Sequence, residues 1–155
     1  QPDTAAAGLP LLCCTALALP LRGGVLDGLL CECVLSLLPD SATALREMAR
    51  VLRPAGRLLL SDLFLTENAP SPLPGPGSPS CLRGARPLPD LLRLFRQAGL
   101  RLLHSEDHSD RLRSLAARLL WNGGTRTDLA ALACASCSCA PRRYGYGLWI
   151  LEKDS

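Results

Sequence analysis

Between Val25 and Leu65 two apolar rhythms follow one another. Val25 to Cys31 is a short apolar run that breaks into Glu32, and Leu58 to Leu60 is another that breaks into Ser61 and Asp62. Such runs predict buried parallel strands whose polar residues begin at the carboxyl end. Between them Leu45, Met48, Ala49 and Leu52 recur at three- and four-residue steps, while Arg46, Glu47, Arg50 and Arg53 fall mainly on the other side. That spacing predicts a sheet-covering helix, capped by Asp40 or Ser41. Pro54 cannot continue it and Gly56 permits a tight reversal into the next strand. The unit reads as a right-handed strand-helix-strand crossover. In open parallel sheets ligands sit outside the carboxyl ends of the strands, so Glu32 and Asp62 are expected to edge one crevice.

The rest of the chain continues in the same alternation. Thr66 to Ser80 is rich in Pro and Gly and predicts a long loop. Leu88, Leu91, Leu92 and Phe95 form one face of a helix over Leu88 to Ala98, stopped by Gly99. Leu100 to His104 reads as a strand. Ser109 and Asp110 are expected to cap a helix running to Trp121, which presents Leu112, Leu115, Ala116 and Leu119 and stops at Gly123-Gly124. Tyr144 to Glu152 closes the pattern as a last strand.

Composition narrows the classes. A chain of 155 residues, 48% hydrophobic, has room for one domain with a real core. The net charge is only +3 and the arginines are scattered along helices, which argues against a nucleic-acid partner. Ala5 to Leu21 is uncharged and largely apolar, but no basic residue precedes it and Pro10 and Pro20 interrupt it. It is also short for a membrane span, so no membrane association is expected.

Cys13-Cys14 and Cys31-x-Cys33 lie in apolar runs, where free thiols pack as small hydrophobes. That disfavours a disulfide framework and points to a reducing, cytoplasmic setting. The polar run Ser105 to Asp110 is read as a loop with helix caps, and no metal is assigned to it. Cys134, Cys137 and Cys139 are read as an exposed thiol loop, with coordination of a soft ion as the alternative.

The wording DGLLCECVLSLLPD, followed by ALREMARVLRPAGRLLLSD, resembles class I S-adenosylmethionine-dependent methyltransferases, especially the small-molecule branch related to ubiquinone-biosynthesis and arsenite enzymes. The resemblance covers roughly Leu9 to Leu103 and, more weakly, the final strand. It implies an α/β fold, a partial Rossmann-like sheet with helices on both faces and an antiparallel last strand. Ala5 to Gly8 then resembles a helix tail and Leu9 to Cys14 the family's third strand. The implied activity is methyl transfer from S-adenosylmethionine to a small-molecule acceptor. Thr15, Ala16, Cys31 and Glu32 would contact the cofactor, Cys33 and Asp62 the substrate, and Glu32 and Asp62 would serve as base or anchor.

The departures matter as much. No G-x-G-x-x-G turn precedes residue 25, and Thr15 stands where relatives carry an acid. The simplest expectation is a single domain over residues 1–155 lacking the amino-terminal cofactor-binding strands, either truncated or degenerate, with a partner chain as one source of the missing half. A non-catalytic remnant and a thiol or metal-binding protein centred on Cys134 to Cys139 are the alternatives. The family orders its sheet three, two, one, four, five, seven, six. Without strands one and two, Val25 to Cys31 becomes an open apolar edge, and Leu9 to Leu21 either pairs with it directly or stays detached.

Overall fold

The computed structural model describes residues 10–66, 84–121 and 144–154. The expected loop from Thr66 to Ser80 lies, after Thr66, outside the described residues, as do Ala5 to Gly8, Leu9 and Cys134 to Cys139. The first strand is β1 (Leu26–Glu32), followed by a 3-10 turn at Leu35–Leu37 and helix α1 (Ser41–Val51). Then come β2 (Leu52–Leu65), the two-residue β3 (Arg86–Pro87) and α2 (Leu88–Gln97). The chain continues with β4 (Leu100–Asp107), α3 (Ser109–Trp121) and β5 (Tyr144–Lys153).

The sheet order is β1-β2-β5-β4, with β3 beside the end of β2. β1 runs parallel to β2, pairing Leu30 with Leu59 and Glu32 with Ser61. β5 runs antiparallel to both β2 and β4, as the resemblance implied. Side chains alternate across each strand, so paired residues share a face. Leu58, Leu60, Trp149, Leu151 and Leu100 meet Ala44, Leu45, Met48 and Ala49 of α1 and Leu91 and Phe95 of α2 in one core. Each fully buried leucine there contributes roughly 2 kcal/mol of transfer free energy. α3 touches the opposite face near its end, where Leu112 packs on a small cluster of Leu63, Ala85 and Tyr144.

Two strands outrun their sequence-based limits. β4 continues through Ser105, Glu106 and Asp107 because β5 offers it partners as far as Gly147. Ser105 to Asp107 are therefore strand rather than loop, while Ser109 and Asp110 open α3. The start of β2 is extended too, and its reversal is not built as expected. Ala55, not Gly56, occupies the left-handed region, at φ 61°. Gly56 is required for space, since a Cβ there would lie 2.8 Å from the Arg53 carbonyl oxygen.

The expected strand at Leu9 to Cys14 is absent over its described part, residues 10–14, which lie exposed outside the sheet. The segment closes on itself through a Thr15–Ala18 bridge. α1 then holds its far end: Glu47 accepts from the Leu19 amide at 2.9 Å, and Arg50 donates to the Leu19 and Leu21 carbonyls, both at 2.9 Å. Glu47 and Arg50 also pair with each other at 2.8 Å. Of the two outcomes open to this segment, the detached one is found. Among the described residues nothing pairs with the free edge of β1, where Leu30 is 63% exposed.

Two outcomes follow from these local constraints. Ala55→Gly relieves a left-handed alanine and is expected to raise stability by up to about 1 kcal/mol, whereas Gly56→Ala lowers it. Urea-denaturation midpoints moving in opposite directions check this pair. Glu47 is held down to about 2 from an ordinary 4.5, mainly by its bond from Arg50 and then by the Leu19 amide. A depressed carboxyl gives its full contribution above pH 4.5 and loses it as the pH falls toward 2. Protection of the Leu19 amide against hydrogen exchange should fall over that window, and the fall should vanish in Glu47→Gln.

Candidate functional site

The carboxyl ends of β1 and β2 hold the residues that the sequence pattern singled out, but they part company in three dimensions. Glu32 ends β1 as an exposed side chain. Cys33 follows in the left-handed region at φ 53°, its amide donating to the Ser61 carbonyl at 2.8 Å. That turn carries the chain off the sheet into the Leu35–Leu37 turn. Glu32 and Cys33 thus stand exposed at an open rim, the carboxyl end of β1.

Asp62 does not stand exposed beside Glu32. It is 2% exposed and surrounded by donors: the Ser36 amide at 2.7 Å, the Ser36 hydroxyl at 2.6 Å and the Leu63 amide at 2.7 Å. A carboxylate so engaged offers no oxygen at the rim. Its geometry is that of a structural tie between β2 and the loop after β1, and its expected roles as base and substrate anchor give way to that. Even in a parallel strand the alternation sets Asp62 on the core face, beside Leu58 and Leu60.

Cys31 is likewise buried on the core face, and burial first, then the charge of Asp62, pushes its thiol up to about 11. It stays a neutral thiol packed in the core. Thr15 is exposed and its hydroxyl accepts from the Leu17 amide at 3.3 Å. Ala16 sits half-buried in the same turn. The described residues therefore supply one rim, Glu32 and Cys33, and not a closed cradle for a nucleoside cofactor.

What the strand pairing adds is Tyr146. Its hydroxyl donates to Ser61 Oγ at 2.9 Å and lies 3.3 Å from Cys33 Sγ, joining three strands' ends in one short chain of polar groups. Burial, followed by the Cys33 contact, raises the phenol above its ordinary value, so it remains a protonated donor at neutral pH. The Tyr-Gly-Tyr-Gly start of β5 carried a signal of this. Phe64 fills the space beside Gly145, and the Trp149 ring covers Gly147, while the tyrosines face the other way.

At the opposite edge Glu106 lies between two imidazoles, 2.8 Å from His104 Nε2 and 2.6 Å from His108 Nε2. Those two bonds, His104 first, lower its carboxyl. Cys81 and the thiols at Cys134, Cys137 and Cys139 lie outside the described residues. No helix among the described residues is long and apolar enough to cross a membrane.

With that geometry in place, the comparisons with known proteins are informative. Residues 2–60 match the methyltransferase domain family model. An O-methyltransferase, rstn1, of Aspergillus nomiae is 38% identical over 72 residues, covering 46% of this chain and 32% of that protein. Among solved structures, the [4+2]-cyclase SpnF superimposes with a TM-score of 0.66 at 25% identity, over 92% of this chain and 55% of its own. Geranyl diphosphate C-methyltransferase of Streptomyces coelicolor gives 0.67 at 15% identity, over 90% and 52%. The chain thus spans about a third of the first relative and about half of each solved structure. The architecture is that of the Rossmann-like methyltransferase fold.

The Asp62 tie generates a clear expectation. Asp62→Ala leaves the Ser36 amide and hydroxyl without their acceptor and should cost about 3 kcal/mol or more, with loss of near-ultraviolet dichroism from the buried Trp149. Asp62→Asn, which keeps an acceptor oxygen, should fall between it and the wild type in urea denaturation. A near-neutral Asp62→Ala would contradict the structural role.

Proposed function

We propose that this chain is part of an enzyme that transfers a methyl group from S-adenosylmethionine to a small-molecule acceptor, and that it contributes the acceptor-side rim rather than the whole cofactor site. The observation that carries the reading is the methyltransferase-domain match over residues 2–60, which ends within β2 and so takes in the Glu32 and Cys33 rim. The fold alone is a weaker support, because one and the same architecture serves a cyclase and a C-methyltransferase.

Bound, the cofactor supplies an electrophilic methyl on a sulfonium, which asks little covalent chemistry of the protein. This chain's part is orientation and charge. Glu32 is the exposed carboxylate at the rim and the group to accept a hydrogen bond from a cofactor or acceptor hydroxyl. Tyr146, kept protonated, fixes Cys33 and Ser61 beside it. The free edge of β1 is where a polypeptide completing the sheet would add, by backbone pairing. The four described cysteines, Cys13, Cys14, Cys31 and Cys33, are free thiols, which supports a reducing, cytoplasmic setting.

The test is nuclear magnetic resonance titration of the chain with S-adenosylmethionine, wild type beside Glu32→Gln. Binding is expected to be weaker than about millimolar for the wild type, with shifts confined to Glu32, Cys33 and their neighbours. Glu32→Gln should weaken it a further three- to tenfold. Submillimolar affinity would overturn the partial-site reading, and shifts that ignore Glu32 would remove it from the site.

A further inference from the structure

The carboxyl ends of β1, β2 and β4 lie on one side of the sheet, because β5 runs antiparallel to both β2 and β4 and so leaves those two parallel to each other. In open α/β sheets that is the side on which ligands bind. Beyond the ends of β2 and β4 lies a cavity of about 360 Å3, within the size range of small-molecule sites. Phe64, Leu65 and Leu88 give it apolar walls, and Ser105, Glu106 and Asp107 line it from the end of β4. Glu32, Cys33 and Tyr146 are not among its lining residues, so it is distinct from the rim described above.

The charge at this cavity has one sign. Both charged residues of its lining are acids, and the lining contains no lysine, arginine or histidine. Asp107 Oδ1 accepts from the Ser109 hydroxyl and, at 2.8 Å, from the Ser109 amide, and these bonds, the hydroxyl first, hold its carboxyl below the ordinary value. Asp107 Oδ2 has no hydrogen-bond partner among the described residues. Glu106 is kept ionised by its bonds with His104 and His108. Arg113 and His108 also bear on Asp107 electrostatically, but they pair with Asp110 and Glu106. An anion is therefore disfavoured here and a cation favoured.

The walls decide which kind of cation. Three apolar side chains suit methyl or methylene groups and offer nothing to the shell of a hydrated metal ion. Among the described residues no group of three metal-ligating side chains is placed to hold such an ion. We infer that this cavity binds a small organic ammonium ion, its alkyl groups against Phe64, Leu65 and Leu88 and its charge beside Asp107. The inference concerns binding alone and does not rest on methyl transfer. Asp107 is exposed, so water and salt screen the attraction and the preference for charge is modest.

The experiment uses the 15N-labelled chain and contains no methyl donor. The probes are choline and 3,3-dimethyl-1-butanol, which share one shape and differ in whether the branched atom is a charged nitrogen or a carbon. Choline should shift the Ser105, Asp107 and Gly147 amides in a saturable way and bind about three- to fivefold more tightly than the alcohol at low salt. Asp107→Asn, whose side-chain oxygen can still accept from Ser109, should abolish that preference and leave binding of the alcohol unchanged. Should Asp107→Asn fail to fold, salt decides on the wild type: about 0.5 M sodium chloride should bring the two affinities together by weakening choline alone. Equal affinities at low salt, choline shifts that map elsewhere, or a preference undiminished by Asp107→Asn or by salt overturns the inference.

Discussion

A buried carboxylate organises this molecule. Asp62 sits at the carboxyl end of the central strand on the core face, where an unpaired charge would be prohibitive. Its position is tolerable only because the Ser36 amide and hydroxyl and the Leu63 amide all point at it. The consequence is mutual. The loop after β1 is drawn inward, Leu35 enters the core, and the departure of the chain at Cys33 is fixed by the Ser61 carbonyl next door. The rim that Glu32 and Cys33 present is thus set by a group that never reaches it.

The two faces of the sheet are unequal. α1 and α2 cover one face and bury Leu58, Leu60, Trp149 and Leu151. On the other, α3 reaches only the Leu63 and Tyr144 end, leaving Leu30 and Leu59 exposed in register with each other. An apolar stripe beside an unpaired strand edge is a place where polypeptide adds readily. The chain so built superimposes on about half the length of each of the two solved structures compared.

Glycine in β5 is the quieter constraint. Gly145 and Gly147 alternate with Tyr144 and Tyr146, so one face of the strand is bare backbone against which Phe64 and Trp149 lie, while the tyrosines occupy the other. One strand in this way serves both faces: Tyr146 joins Cys33 and Ser61, and Trp149 packs into the core against Phe64 and Phe95.

The amino-acid sequence by itself determined the elements whose signals are local. Apolar runs ending in Glu32 and Ser61, the Asp40 cap confirmed by its 3.0 Å bond from the Thr43 amide, and the faces of α1 and α2 are properties of neighbours in the chain. Those signals were legible because periodicity and capping act within a few residues. Where β4 stops, whether residues 10–14 join the sheet, and which of Glu32 and Asp62 meets solvent were decided elsewhere. β4 extends because β5, some forty positions away, pairs with it; residues 10–14 stay out of the sheet, while α1 holds Leu19 and Leu21. Asp62 is withdrawn because a strand's alternation acquires an inside and an outside only after helices have covered one face. Periodicity names the two sides of an element, and packing alone chooses which of them is the interior.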